Sequence, residues 1–244
     1  MQVYVGVHNL HTAPSRIHTP TSIEIYPGFN KKTTTNDVAL LTFDANLLDN
    51  NKNDQTKSIT RVCLPERDVQ PGTKCIIAGW GRTEERDEFG KSKQSDVLRQ
   101  TDVVIGNTND CSKSGVHFDG KRMLCGVGVG ASEICMGDSG GPLVCLDSSQ
   151  NRFEVQGVVS YTWMRSGGED KGDCVLYPAS YARVNYYKKW IKMRMQCDRT
   201  NNYTECQKYE PEPLPDNCRT MIASRWILIV TSIVVINLFS DKPS

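Results

Sequence analysis

The chain predicts an all-β protein of the barrel or sandwich type, on three observations. Short apolar or alternating runs recur along its length, Gly, Pro, Asn and Asp separate them, and no strand-helix-strand alternation of a parallel sheet appears. With 244 residues the chain makes one large domain or two small ones, and either can bury a proper core.

The elements follow in order. Residues 3 to 7, Val-Tyr-Val-Gly-Val, alternate weakly and predict a strand. Ile17 and the Ile23-Glu-Ile-Tyr26 run predict further short strands, ended by Pro27-Gly28. Asn36-Asp37 then precedes the continuous apolar run of residues 38–43, the pattern of a buried strand with an acid at its mouth. Taken alone, Asp37 reads as a turn or capping residue ahead of a functional acid. Residues 50–57 form a polar loop, and strands are predicted at 59–64 and 74–80 around a Pro71-Gly72 turn. Residues 83–95 mix both charges with one glycine and no period, which predicts a long solvent loop. The runs at 97–105, 123–125, 143–146, 153–161 and 174–184 supply the remaining strands. One helix is predicted after Asn185 as its cap. There Tyr187, Trp190, Ile191 and Met195 fall on one face, opposite lysines and Arg194.

Beyond the helix the character changes. Residues 197–219 are rich in Pro, Asn, Asp and Glu and read as a stalk, with Asn202-Tyr-Thr as a glycosylation sequon. Residues 220–239 are predominantly apolar, close to the ~20 needed to cross ~30 Å of hydrocarbon, and 240–244 form a polar tail. The apolar segment is expected to anchor the protein in a membrane. It does so either as a spanning helix or as a glycolipid-anchor signal with Asn217 or Ser224 as attachment site.

Charge narrows the partners. Lys and Arg total 29 against 28 acids, so the net charge of +1 argues against nucleic acid as a partner. Ten cysteines, spread out rather than set in Cys-x-x-Cys clusters, favour disulfides over zinc and hence an oxidising compartment, with no metal or cofactor expected. A secreted chain should begin with a charged and then an apolar leader. Met1-Gln-Val-Tyr-Val-Gly-Val has neither at useful length, so upstream sequence is expected to be missing.

The residues with most chemical content are Cys135-Met-Gly-Asp-Ser-Gly-Gly-Pro142. Three glycines around Ser139 suit a tight turn, and equally a hydroxyl nucleophile that needs room for a substrate carbonyl and backbone N–H groups aimed at an oxyanion. The spacing formally matches the Gly-x-Ser-x-Gly elbow of α/β-hydrolases. That elbow requires a helix after the serine, whereas Gly140 to Leu146 reads as a turn into a strand.

Five segments in order are residues 36–43, Ala78-Gly-Trp-Gly81, residues 137–142, Val158-Val-Ser-Tyr161 and the C-terminal helix. Together they resemble a trypsin/chymotrypsin-family serine protease over about residues 1–196. The resemblance implies two antiparallel β-barrels, the first incomplete, followed by the C-terminal helix. It implies Ser139 as nucleophile, Asp37 as the carboxylate that orients a histidine, and the N–H groups of Gly137 and Ser139 as the oxyanion hole. Asp138 would hold a new amino terminus after zymogen cleavage. Disulfides Cys75–Cys145, Cys111–Cys125 and Cys135–Cys174 are implied, and Cys63 looks like the cysteine that tethers an upstream pro-segment in some members.

The chain also departs from the family pattern. Its general base belongs to an Ala-Ala-His-Cys-like segment that is not present, and His8, His11, His18 and His117 read as ordinary surface or structural residues. In the substrate-binding pocket Glu133 stands where trypsin-like members have Asp, Thr162 replaces a glycine in the Ser160-Tyr-Thr162 strand, and Ala179 forms another wall. This composition favours a basic or small residue before the scissile bond. The function expected is that of an extracellular or cell-surface serine endopeptidase. It would act on protein or peptide substrates through an acyl-enzyme on Ser139, with protein protease inhibitors as further partners. The alternative is a non-catalytic homologue that serves as an extracellular binding protein.

Overall fold

The computed structural model describes residues 1–12, 16–43, 62–86, 92–112, 118–130, 134–162, 178–200 and 226–229. Strand β1 (Val3–Val5) pairs antiparallel with β2 (Arg16–His18) as a small ribbon. β3 (Ser22–Ile25) pairs antiparallel with β4 (Ala39–Thr42), the strand that follows Asp37. Every residue from Asp37 to Phe43 is buried, as a continuous apolar run between covered faces requires.

Six further strands close a barrel. They are β5 (Lys74–Gly79), β8 (Arg99–Ile105), β9 (Met123–Gly128), β10 (Pro142–Asp147), β11 (Arg152–Thr162) and β12 (Ala179–Arg183). Around the barrel the order is β10-β11-β12-β9-β8-β5, with β5 pairing back onto β10. All these pairs are antiparallel, so the all-β, chymotrypsin-type architecture expected from the sequence is the one found. Period-two burial explains the barrel core: Cys75 and Ile77 point inward from β5, Leu143 and Cys145 from β10, and they meet Val103, Leu124, Val159 and Tyr181. Cys75 and Cys145 lie directly opposite one another in the ladder and are bonded, and Cys111–Cys125 ties β9 to α1 (Thr108–Ser112).

The helix α2 (Val184–Thr200) packs where its periodicity directs it. Tyr187, Trp190, Ile191 and Met195 join Val38 and Leu40 at β4, Val155 and Val158 of β11 and Ala182 of β12 in one buried cluster. Tyr26 stands edge-on to both Tyr187 and Trp190, at centroid distances of 4.9 and 5.1 Å. On the other flank Arg194 pairs with Glu24 of β3 at 2.7 Å, and Lys188 donates to the Pro65 and Glu66 carbonyls. The helix therefore rests on β4 and the barrel at once.

Several sequence expectations are corrected. Residues 83–95 contain a hairpin, β6 (Arg82–Arg86) with β7 (Ser92–Gln94), where a solvent loop was expected. Ladder hydrogen bonds organise these charged strands although no apolar period announces them. Asn185 lies inside the first turn of α2 rather than capping it, and the helix runs to Thr200, into the span read as stalk. Within residues 62–64 the pairing is an isolated bridge from Cys63 to Glu154 instead of a strand. Cys63 is itself disulfide-bonded. Apart from these corrections, β13 (Trp226–Ile229) pairs antiparallel with β4, and the rest of the apolar segment 220–239 lies outside the described residues. Among the described residues no helix is long and apolar enough to cross a membrane.

Candidate active site

Ser139 sits on the loop that enters β10, and backbone geometry explains its glycines. Gly137 and Gly140 adopt φ of +103° and +84°, conformations that L side chains rarely take. The loop is stitched to β11: Gly140 N–H donates to the Val159 carbonyl and Val159 N–H donates to the Gly141 carbonyl, each at 2.9 Å. On its other side Arg82 N–H donates to the Met136 carbonyl.

Asp138 locks the loop from within. Its carboxylate accepts the Gly81 N–H at 2.8 Å and the Cys135 N–H at 2.9 Å. A Cβ at Gly81 would lie 2.3 to 2.5 Å from the Asp138 carboxyl atoms, so this segment must be glycine to approach so closely. Burial raises the Asp138 pKa above its ordinary value, and the two backbone N–H donors only partly oppose that. Asp138 is thus a desolvated acid held by amides.

Asp37 reaches the same region from β4. Asn36, at φ +58°, turns the chain just before it, and the Asn36 amide donates to the Gly28 carbonyl while Tyr187 hydroxyl donates to Asn36 Oδ1. Asp37 is 2% exposed, and Ser160 Oγ, 5% exposed, donates to its Oδ2 at 2.6 Å. Ser160 follows Val159, the residue that binds the Ser139 loop. One strand, β11, therefore carries both the hydrogen bonds that hold the serine loop and the hydroxyl that holds the buried acid. Sequence reasoning placed Ser160 at the substrate and missed its bond to Asp37.

Among the described residues the N–H groups of Gly137 and Ser139 donate no hydrogen bond. Both belong to the loop that β11 and the Asp138 carboxylate hold by hydrogen bonds. Thr162 and Ala179 face one another across the β11–β12 ladder, Ala179 buried and Thr162 with a buried hydroxyl that finds no partner among the described residues. Ile134 and Cys135 are buried next to the loop, and Cys135 is disulfide-bonded. Glu133, Cys174, His117 and Asn202 lie outside the described residues.

The His11 and His18 rings have partners elsewhere, and His8 is held through its backbone carbonyl. The His8 carbonyl accepts the Trp80 indole N–H and the Leu98 N–H, His11 pairs with Asp96 at 3.1 Å, and the His18 ring stands edge-on to Phe43. Among the described residues no cluster of His, Cys, Asp or Glu could hold a metal ion.

Comparison with known proteins bears on this arrangement. A family model described as Trypsin matches residues 1–191. The chain is 35% identical over 173 residues to transmembrane protease serine 7 of Mus musculus, an alignment covering 69% of this chain and 19% of that protein. Against the Homo sapiens protein of the same name it is 34% identical over 173 residues, covering 69% of this chain and 18% of the relative. It is 31% identical over 198 residues to trypsin I-P1 of Gallus gallus, covering 80% of this chain and 71% of that protein. The chain thus spans less than a fifth of the length of the transmembrane relatives and most of the trypsin.

Proposed function

Because the chain belongs to the trypsin family of serine proteases, we propose that it is a serine endopeptidase that hydrolyses peptide bonds through an acyl-enzyme on Ser139. The observation that carries this reading is the single strand β11, which ties the Ser139 loop by Val159 and the buried Asp37 by Ser160. Ser139 attacks the scissile carbonyl, the Gly137 and Ser139 N–H groups receive the oxyanion, and Asp37 orients the imidazole that must take the serine proton, a group that none of the four histidines of this sequence is read to supply. One such N–H donor contributes ~3 kcal/mol to the transition state.

Asp138 is the acceptor for a cation that matures the site, a role its desolvated and amide-held carboxylate supports. Thr162, Ala179 and Glu133 line the pocket for the residue before the scissile bond and favour a basic or small side chain. The protein works outside the cell, consistent with its disulfides, and the apolar C-terminal segment tethers it to a membrane.

One observation favours a second reading, a non-catalytic binding homologue: the His11 ring contacts Asp96 and the His18 ring contacts Phe43 rather than Ser139. A fluorophosphonate probe applied to the protein in the cells that make it distinguishes the two. Covalent labelling mapped to Ser139, abolished by Ser139→Ala, is expected. A folded, secreted protein that remains unlabelled would exclude the endopeptidase and leave the binder.

A further inference from the structure

The buried acid of the candidate site is delivered by an uncommon stretch of backbone. Gly28, Thr34 and Asn36 all lie in the left-handed region, at φ of +84°, +53° and +58°. Residues with a side chain adopt that region rarely, and asparagine is among those enriched there. Val38 N–H donates to the Asn36 carbonyl at 2.9 Å, which places Asp37 at the apex of a tight turn. The direction of the Asp37 carboxylate therefore depends on the backbone of Asn36. Glycine would meet φ +58° without strain, so conformation alone does not call for asparagine at this position. The side chain supplies the reason. Its Nδ2 donates to the Gly28 carbonyl at 3.0 Å, and its Oδ1 accepts from the Tyr187 hydroxyl at 3.5 Å. Both ends of the amide are engaged, one by the turn after β3 and the other by α2. Tyr187 is 1% exposed, and burial pushes its phenol pKa up, so the hydroxyl stays protonated and donates.

We propose that Asn36 is a positioning residue for Asp37: its amide, held between the Gly28 carbonyl and the Tyr187 hydroxyl, fixes the turn that aims the buried carboxylate at Ser160. This rests on the reading of Asp37 as the acid that orients the imidazole, and it names what orients that acid in turn. Asn36 acts through the contact of Ser160 Oγ with Asp37 Oδ2, whose 2.6 Å length tolerates little displacement of either partner. With the amide gone, the turn is held only by its backbone bonds, and the carboxylate swings away from the Ser160 hydroxyl. The seat of α2 thereby reaches the candidate site through one polar side chain, in addition to its apolar packing on Val38 and Leu40.

The test reads the contact of Asp37 with Ser160 in the full chain. Asp37→Asn, Ser160→Ala and the double variant form a urea-unfolding cycle, in which the coupling is expected to be about tenfold in the unfolding constant. Asn36→Gly suits the left-handed backbone and removes only the amide. On that background the same coupling is expected to fall below about threefold, close to the additivity of independent sites. The carbon-13 carboxyl signal of Asp37, in protein labelled at its aspartate carboxyls and assigned by Asp37→Asn, gives a second reading. Ser160→Ala and Asn36→Gly should each displace it. A residue that merely stabilised the turn would lower the urea midpoint and leave both readings as they were. Coupling that stays above about threefold on Asn36→Gly, coupling already below that level in the parent chain, or an Asp37 signal that Asn36→Gly leaves in place would each overturn the proposal. If Asn36→Gly shows no cooperative transition, Tyr187→Phe decides by the same criteria, since it removes the hydroxyl and keeps the ring in the core. Fluorophosphonate labelling of Ser139 is a separate outcome: its absence would exclude the endopeptidase and leave both readings of Asp37 standing.

Discussion

Ser160→Ala removes a single oxygen at the junction of the candidate site. That hydroxyl donates to Asp37 Oδ2 at 2.6 Å, a length in the range of charge-assisted bonds, and both partners are almost wholly buried. A hydrogen bond to a charged group contributes about 1.5–3 kcal/mol, and burial removes the water that would otherwise replace the donor. With a urea dependence of roughly 2 kcal/mol per M, a loss of ~2 kcal/mol lowers the unfolding midpoint by about 1 M. Tryptophan fluorescence of the full chain in a urea titration reads this directly. A cycle with Asp37→Asn and the double variant isolates the pair, and a coupling of at least ~1.5 kcal/mol is expected for residues in direct contact. A loss under about 0.5 kcal/mol, or a coupling near zero, would refute the claim that this contact joins β4 to β11.

Two further outcomes follow from the packing and the electrostatics. Trp190→Ala empties the centre of the cluster between α2, β4 and β11 and should cost about 3–5 kcal/mol in the same titration; a loss below ~1 kcal/mol would show that α2 is not a core element. Burial raises the folded-state pKa of Asp138 above its unfolded value, so its contribution to stability is greatest when protonated and declines as pH rises from 3.8 through the raised value. The wild-type minus Asp138→Asn stability difference, measured from about pH 3 to pH 7, should fall with pH, and a flat or rising difference would contradict the desolvation argument.

How much of this was legible in the sequence depends on whether the signal was local. The acid before the apolar run at Asp37, the glycines of the 137–141 turn and the apolar face of α2 each lie within one short window, and periodicity or turn chemistry exposes them. The hairpin of β6 and β7 did not show, because Arg82 to Gln94 carries charge without alternation and its pairing is made by backbone groups that every residue shares. The bond from Ser160 to Asp37 spans 123 positions, and no window contains both ends. Asp138 read as a capture site for a cation, but its amide partners at Gly81 and Cys135 emerge only when two loops meet. The tail was read by length and hydropathy, and a run of Trp, Ile, Leu and Ile satisfies a strand as well as a membrane.

The seating of α2 bears on how the molecule comes apart. Its one apolar face is shared by Val38 and Leu40 from the β4 side and by Val155, Val158 and Ala182 from the barrel. Neither side can lose its cover without exposing the other, so Asp37 and Ser139, carried by separate sheets, belong to one cooperative unfolding unit. Amide hydrogen exchange should therefore open β4 and β11 together, at the same free energy and with the same denaturant slope. The chemistry of the serine loop then persists or vanishes with a helix that touches none of its reacting atoms.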